Sequence, residues 1–367
     1  MNIEFSDKAI LQWFNCAQTF LMFPEKLGKD LCKQWQNHPP QEILEWYHTF
    51  FNDVFISRWG YPLKEIFHEP YTEIFILKFL KKQKLLKEFQ EKKSQATLCL
   101  THDVDHLAPS LKLTLKNLVA EKKLFLYKRR DHFLTSLEKL LNIDREISGN
   151  LKPSTLFLAS PLYSPSILDW PIQWLVDPSY TVGHPLLKSL DNLIATYNCI
   201  LGVHGSIFSL KRNLLGQEKK LLEASLNRQI SFVRQHWLHL PTADALLKIK
   251  QTGFKMDSTL GWNGHCGFRG GMARPFPIVL TNKEDILWEL PLLMMDGPLL
   301  NSKTERLAQN LLEKVFKYKG VVAVNWHERA AHPKHQWDAL YKEVLRFSVE
   351  KGFIFKNMQE IADEIIP

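Results

Sequence analysis

Cysteine is scarce and unpatterned: five residues, Cys16, Cys32, Cys99, Cys199 and Cys266, with no C-x-x-C spacing among them. That argues against a disulfide framework and a thiolate zinc centre, and an odd count in a chain of 367 residues fits a reducing compartment. Long apolar runs are missing too. Nowhere do about 18 apolar residues run without charge, so no membrane span is expected. The opening MNIEFSDKAILQWFNC has no basic segment leading into an unbroken apolar core. An export signal is therefore not expected, and a cytoplasmic location is. Acidic residues fall short of basic ones, 39 against 47, which leaves a net charge of +8. Much of that excess sits in KKQKLLKEFQEKK (81–93) and EKKLFLYKRR (121–130). Leu80, just before the first run, fits one apolar helical face with Leu85, Leu86 and Phe89 inside it, and neither run has the aromatic interleaving of a single-strand nucleic-acid platform. Both are read as solvated helix faces rather than nucleic-acid or lipid patches, and no nucleic-acid partner is expected.

What is present is a globular composition, 45% hydrophobic and 23% charged, in a chain long enough for one large domain with an appendage or for two domains. Residues 1–93 are rich in Trp, Phe, Leu and Lys at helical spacing, broken at NHPP (37–40) and RWGYP (58–62), and contain no catalytic motif. A helical N-terminal region of unassigned role is expected there, with a second domain over 94–367. In that second part, short β-rich runs alternate with helical stretches. The runs are ATLCLT (96–101), STLFLAS (154–160), CILGVH (199–204), ISFVRQH (230–236), GFKMD (253–257), ILWELP (286–291) and GVVAVNWH (320–327). Crossover-length helices between strands predict a parallel sheet with right-handed connections.

Ionisable residues gather at the C-terminal ends of these runs: Asp103 and Asp105, His204, Arg234 and His236, Asp257, Glu289, and His327. In a closed β/α barrel those ends converge on one face, where active sites lie. Two carboxylates at i and i+2 leaving a strand, joined by histidines from other strand ends, suggest a divalent metal beside a water-activating base, and zinc commonly takes three such ligands. The competing readings are structural. Asp103 and Asp105 would also suit caps of a following helix, Asp257 and Glu289 loop anchors, and Trp170, Trp174 and Trp262 core packing.

From Ala96 to the C-terminus the sequence resembles the polysaccharide deacetylases, the NodB-like carbohydrate esterases of family four. THDVD (101–105) matches the D-x-D variant of that family's first motif, which implies Asp103 as general base and Asp105 as metal ligand. LGVHGSIFS (201–209) supplies His204, the first histidine of H-[ST]-x-x-H, but the second position is Phe208. A replacement ligand is needed if metal is bound; His236 in VRQH is one candidate and His106 a second. By the same resemblance Arg234 orients the base, His327 in NWHE is the general acid and Trp326 walls the pocket. Asp257, Trp262, Arg269 and Glu289, from DSTLG, GFRGG and the neighbouring strand, join the substrate pocket. The ordered set VRQHWL, DSTLG, GFRGG and NWHE marks a subgroup.

The resemblance implies a distorted (β/α) barrel of about seven parallel strands and a zinc-dependent hydrolase that removes an acetyl group, N-acetyl foremost, from a carbohydrate or glycan precursor in cell-surface polysaccharide assembly. Two alternatives follow from Phe208: a catalytically degenerate domain of the same fold that binds a glycan or protein, and a hydrolase of C–N bonds in a small cyclic amide.

Overall fold

The computed structural model describes residues 68–82, 95–120, 132–149, 153–163, 166–242, 244–279, 286–301 and 305–366, together with Gln41, Glu45, Trp46 and Thr49. The basic run 121–130 and most of 1–93 lie outside the described residues.

All seven strand runs form strands of one sheet. They are β1 (Thr97–Val104), β2 (Thr155–Leu158), β3 (Ile200–Gly205), β4 (Phe232–Gln235), β5 (Met256–Asp257), β7 (Ile286–Glu289) and β9 (Val321–Asn325). Three strands come in addition: β6 (Phe276–Val279), β8 (Leu292–Met295) and β10 (Ile354–Phe355). The order is β6-β7-β5-β4-β3-β2-β1-β9-β8, with β10 beside the start of β1. Every pairing is parallel except β6 with β7.

The added strands have sequence reasons for going unread. β6 carries Pro277, which removes a ladder donor and suits an edge strand. β8 follows β7 after only Leu290 and Pro291, so ILWELPLLMM reads as one apolar run. That short link also closes the sheet. β7 lies towards one end of the strand path and β8 at the other, yet they are neighbours in sequence, so the sheet must curl until its two sides meet. The result is a distorted β/α barrel.

β1 is buried along its whole length. Its side chains alternate: Leu98, Leu100 and His102 face the outer helices, whereas Thr101, Asp103 and Asp105 face the barrel interior. On the outer side, Leu140 and Ile143 of α3 (Leu134–Ser148) and Tyr341 and Val344 of α10 (Asp338–Lys351) pack in one apolar cluster with Leu98 and Leu100.

The helix α1 (Tyr71–Lys82) belongs to the stretch read as a helical N-terminal region, and it packs on the barrel. Thr72 Oγ1 donates to the Gly270 carbonyl at 2.6 Å, and buried Glu73 accepts from Arg274 Nε at 2.9 Å and from the Ala273 N–H at 3.0 Å. Gly271 makes this approach possible. Its φ is +66°, and a Cβ there would lie 2.6 Å from the Tyr71 ring.

Candidate metal centre and catalytic pocket

Parallel pairing aligns the strand ends in register. Thr101 stands beside Asn325, His204 beside Arg234, Val233 beside Asp257, and Asp257 beside Glu289. Residues far apart in sequence therefore meet on one rim of the barrel. Beside this rim lies a cavity of about 220 Å³ lined by Asp103, Asp105, His204, His236, His327 and Arg329, with Trp237, Asn263 and Met295 among the remaining wall residues.

Arg234, fully buried, organises the floor. Its Nη1 donates to Asp103 Oδ1 at 2.8 Å, Thr101 Oγ1 at 2.9 Å and Asn325 Oδ1 at 2.9 Å. Nε donates to the Ser258 carbonyl at 3.0 Å, Nη2 to Ser258 Oγ at 2.9 Å, and the guanidinium lies 4.2 Å from the centroid of the Phe157 ring. A planar five-donor fork is needed for this set, which lysine does not provide. Gly202 leaves room for that ring, since a Cβ would meet Phe157 at 2.5 Å. Asp103 Oδ2 accepts from Asn325 Nδ2 at 3.1 Å. Burial works to raise the Asp103 pKa, but the Arg234 charge and the nearby His204 and His327 outweigh it, so the carboxyl titrates below its ordinary value.

Asp105, two residues on and on the same face, sits among histidine nitrogens. Its Oδ1 lies 3.3 Å from His204 Nε2 and 3.7 Å from His236 Nε2, and its Oδ2 lies 3.8 Å from His327 Nε2. Burial again opposes ionisation, and His236, His204 and His327 together pull the carboxyl well below the usual range.

Each histidine is held by its other nitrogen. His204 Nδ1 lies 3.1 Å from the Arg234 carbonyl, His236 Nδ1 3.2 Å from Asp177 Oδ1, and His327 Nδ1 2.7 Å from Asp296 Oδ1. In a neutral imidazole, the form in which His204 and His236 would bind a metal, an Nδ1–H donated to oxygen leaves Nε2 bare and pointing at the cavity. His327 is pushed the other way from a buried histidine: burial lowers its pKa, the Asp296 carboxylate raises it more, and it reaches about 9.

The donor set fits a divalent ion. One ligand atom each from Asp105, His204 and His236 lies within 4.8 Å of the others. Asp105 Oδ1 and His204 Nε2 are buried without a hydrogen-bond partner, a costly arrangement that a cation between them relieves. Two nitrogens and a carboxylate oxygen suit zinc.

The turn His236–Leu238 aims the third donor. Trp237 has φ 58° and ψ 18°, and Leu238 follows with φ 49°, a left-handed pair that costs about 1–2 kcal/mol per residue for bulky side chains. Asn263 Nδ2 fastens the turn by donating to the Trp237 carbonyl at 2.8 Å. His106 sits elsewhere: fully buried, it engages Ser179 Oγ at 2.7 Å and is outside the donor trio. Phe208, at the position of the family's second histidine, is a buried side chain under Lys211 Nζ at 5.2 Å.

Five residues expected in the pocket do not line the cavity: Asp257, Trp262, Arg269, Glu289 and Trp326. Trp326 is fully buried on the outer face with its ring 4.6 Å from that of Tyr341, because neighbouring residues at a strand end point to opposite sides and His327 takes the inner one. Asp257 and Glu289, both fully buried, anchor the loop behind the cavity. Thr259 Oγ1 donates to Asp257 Oδ1 at 2.5 Å and the Leu260 N–H to Glu289 Oε1 at 2.8 Å. Burial lifts Asp257 to about 6, and burial plus the Asp257 charge lifts Glu289 further, so this pair shares a proton. Arg269, also fully buried, lies 5.5 Å from the Trp262 ring and donates to the Gly261 carbonyl at 3.3 Å.

Sequence reading missed Asp177, Asp296, Asn325 and Arg329. Asp296 follows β8, so it carried the same strand-end signal, hidden by the merged run. Asp177 caps α4 (Trp170–Val176) and is brought to His236 only by the fold.

No family model matches the sequence, and no curated protein matches it. Among solved structures, a presumed polysaccharide deacetylase from Mycobacterium smegmatis superposes with a TM-score of 0.50 at 17% identity, over 75% of this chain and 91% of that one. The chain has the polysaccharide deacetylase fold. An inferred polysaccharide deacetylase from Pseudomonas aeruginosa PAO1 gives a TM-score of 0.49 at 9% identity, over 74% and 91% of the two chains. The Puue allantoinase gives 0.49 at 9%, over 75% and 91%. At 17% identity the first of these likenesses speaks for the fold alone. Among the described residues no helix is long and apolar enough to cross a membrane.

Proposed function

We propose that this chain is a metal-dependent hydrolase that removes an acetyl group, N-acetyl foremost, from an amino sugar carried by a carbohydrate or glycan precursor. The observation that carries the reading is the buried Asp105, His204 and His236 trio, with two unpartnered ligand atoms facing each other and both imidazoles braced from behind.

Asp105, His204 and His236 would hold the ion, which when bound supplies polarisation of the acetyl carbonyl and of the attacking water. Asp103, kept ionised by Arg234, accepts the proton that this water loses. The water oxygen bonds to the acetyl carbon and the C–N bond breaks. His327, held cationic by Asp296, gives its Nε2 proton to the departing amine. Acetate and a free amino sugar result, with atoms and protons in balance. The substrate class proposed is a nucleotide-linked, lipid-linked or small amino sugar, since the expected cytoplasmic location makes a polymeric cell-wall glycan a poor substrate. Cell-surface polysaccharide assembly is the setting this favours.

Elemental analysis of the purified protein tests the reading, with His204→Ala and His236→Ala alongside and acetate release as the activity readout. About one divalent ion per chain, lost in both variants, is the expected result. An ion retained in His236→Ala overturns the replacement of the missing histidine. One observation favours a second reading, a binding domain without catalysis: Arg329 Nη1 already stands 3.5 Å from Asp105 Oδ2 and supplies a cation there. Absence of metal after reconstitution selects it.

A further inference from the structure

A second buried charge pair stands on the outer face of β1, away from the cavity. Alternation along the strand turns His102 towards the apolar cluster that holds Leu98, Leu100 and Tyr341, with its ring edge-on to Tyr341 at 5.9 Å. His102 Nε2 lies 2.8 Å from Asp144 Oδ2 of α3. Asp144 also accepts from the Tyr341 hydroxyl at 2.6 Å and from Ser154 Oγ. All four side chains are buried. Packing alone does not ask for an ion pair here, since apolar side chains of similar volume often serve a core as well or better.

The other ring nitrogen shows where the pair acts. His102 Nδ1 lies 2.8 Å from the Trp326 carbonyl. A carbonyl only accepts, so Nδ1 carries a proton, while Nε2 faces a carboxylate that hydroxyls already approach from both oxygens. His102 therefore donates from both nitrogens and pairs as a cation with Asp144. Burial works to lower its pKa, and the Asp144 charge and hydrogen bond outweigh that and raise it.

The Trp326 carbonyl and the His327 N–H belong to one peptide group. That N–H donates to Asp296 Oδ2 at 2.9 Å, and Asp296 Oδ1 lies 2.7 Å from His327 Nδ1. An unbroken chain of contacts, none longer than 2.9 Å, thus runs from Asp144 through His102, the peptide and Asp296 to the His327 ring. Hydrogen bonds in series polarise one another, so a peptide whose oxygen accepts from a cation donates more strongly from its nitrogen. We infer that His102 is a positioning residue for His327, acting through the Trp326–His327 peptide. It fixes the plane of that peptide, and with it the carboxylate that aims the ring at the cavity. Its bearing on acetate release rests on the hydrolase reading; the coupling of His102 to His327 does not.

Nuclear magnetic resonance of the full chain with isotope-labelled histidine tests the coupling without turnover. The His327 Nδ1 proton, bonded to Asp296, is expected far downfield and is assigned by its absence from His327→Gln. Two double variants differ only in the group offered to the Trp326 carbonyl. His102→Asn with Asp144→Asn keeps an amide donor near the place of Nδ1, and His102→Phe with Asp144→Asn offers none. The asparagine variant is expected to retain the signal and the phenylalanine variant to lose it to exchange with water, with circular dichroism unchanged in both. In the phenylalanine variant kcat for acetate release should fall about 10–100-fold with KM unchanged, part of the roughly 10²–10⁴-fold that a general acid contributes. An undisturbed His327 signal in the phenylalanine variant overturns the proposal, and so does an equal loss in both variants. Should the phenylalanine variant not fold, Asp144→Asn alone decides, because it keeps the shape of the site and removes the charge on His102. The signal should then move upfield, and an unmoved signal overturns the proposal. A signal that responds in a chain releasing no acetate leaves the coupling standing and removes only the hydrolase reading.

Discussion

Asp103 and Asp105 differ by one intervening residue and by everything around them. Asp103 is bonded by a guanidinium and an amide, which aims and ionises it but leaves no room for it as a principal ligand. Asp105 keeps a buried oxygen unpartnered. Asp103→Asn is therefore expected to retain metal and lose turnover by about 10²–10⁴-fold, and Asp105→Ala to lose the metal, both read by elemental analysis beside acetate release. Asp177→Asn keeps an oxygen for His236 but removes its charge, and metal affinity should fall about 10–100-fold in a chelator competition. The Asp257 and Glu289 pair has the opposite electrostatics. Because Asp257 titrates near 6 in the folded protein against 3.8 in the unfolded chain, the native state holds more protons between those values, and its stability falls as pH rises through that window. Asp257→Asn should flatten the decline, measured by denaturant unfolding at pH 5 and pH 8.

At the scale of elements, the short link between β7 and β8 and the docking of α1 matter most. Pro291 ends one strand so that the next crosses to the far side of the sheet, and Asp296 at the end of that strand then reaches His327. α1 braces the loop containing Arg269 through Thr72 and Glu73. Gly271→Ala meets both a left-handed φ and the Tyr71 ring, and a loss of about 2 kcal/mol or more is expected in denaturant unfolding. Glu73→Ala strands a buried arginine and should cost about 3–5 kcal/mol by the same measurement.

Across the whole molecule, the strand runs were legible because a parallel sheet covered on both faces is built from short β-rich apolar segments, and seven of them appear where the pattern puts them. Ionisable groups at their ends were legible because they interrupt the apolar runs, although the fold buries Arg234, Asp257 and Glu289 completely among hydrogen-bond partners. Sequence by itself determined the barrel class and the strand-end residues. Only the tertiary structure decided which of those residues face the cavity. It turned Trp326 outward and His327 inward, drew Asp257 and Glu289 behind the wall, and brought Asp177 and Asp296 to the backs of two histidines. It also set His236, and not His106, beside Asp105 and His204. The reason is that strand periodicity is local and fixes which residues reach the rim, whereas facing, pairing and charge partners depend on the register between strands and on the turns that leave them, which no single segment encodes.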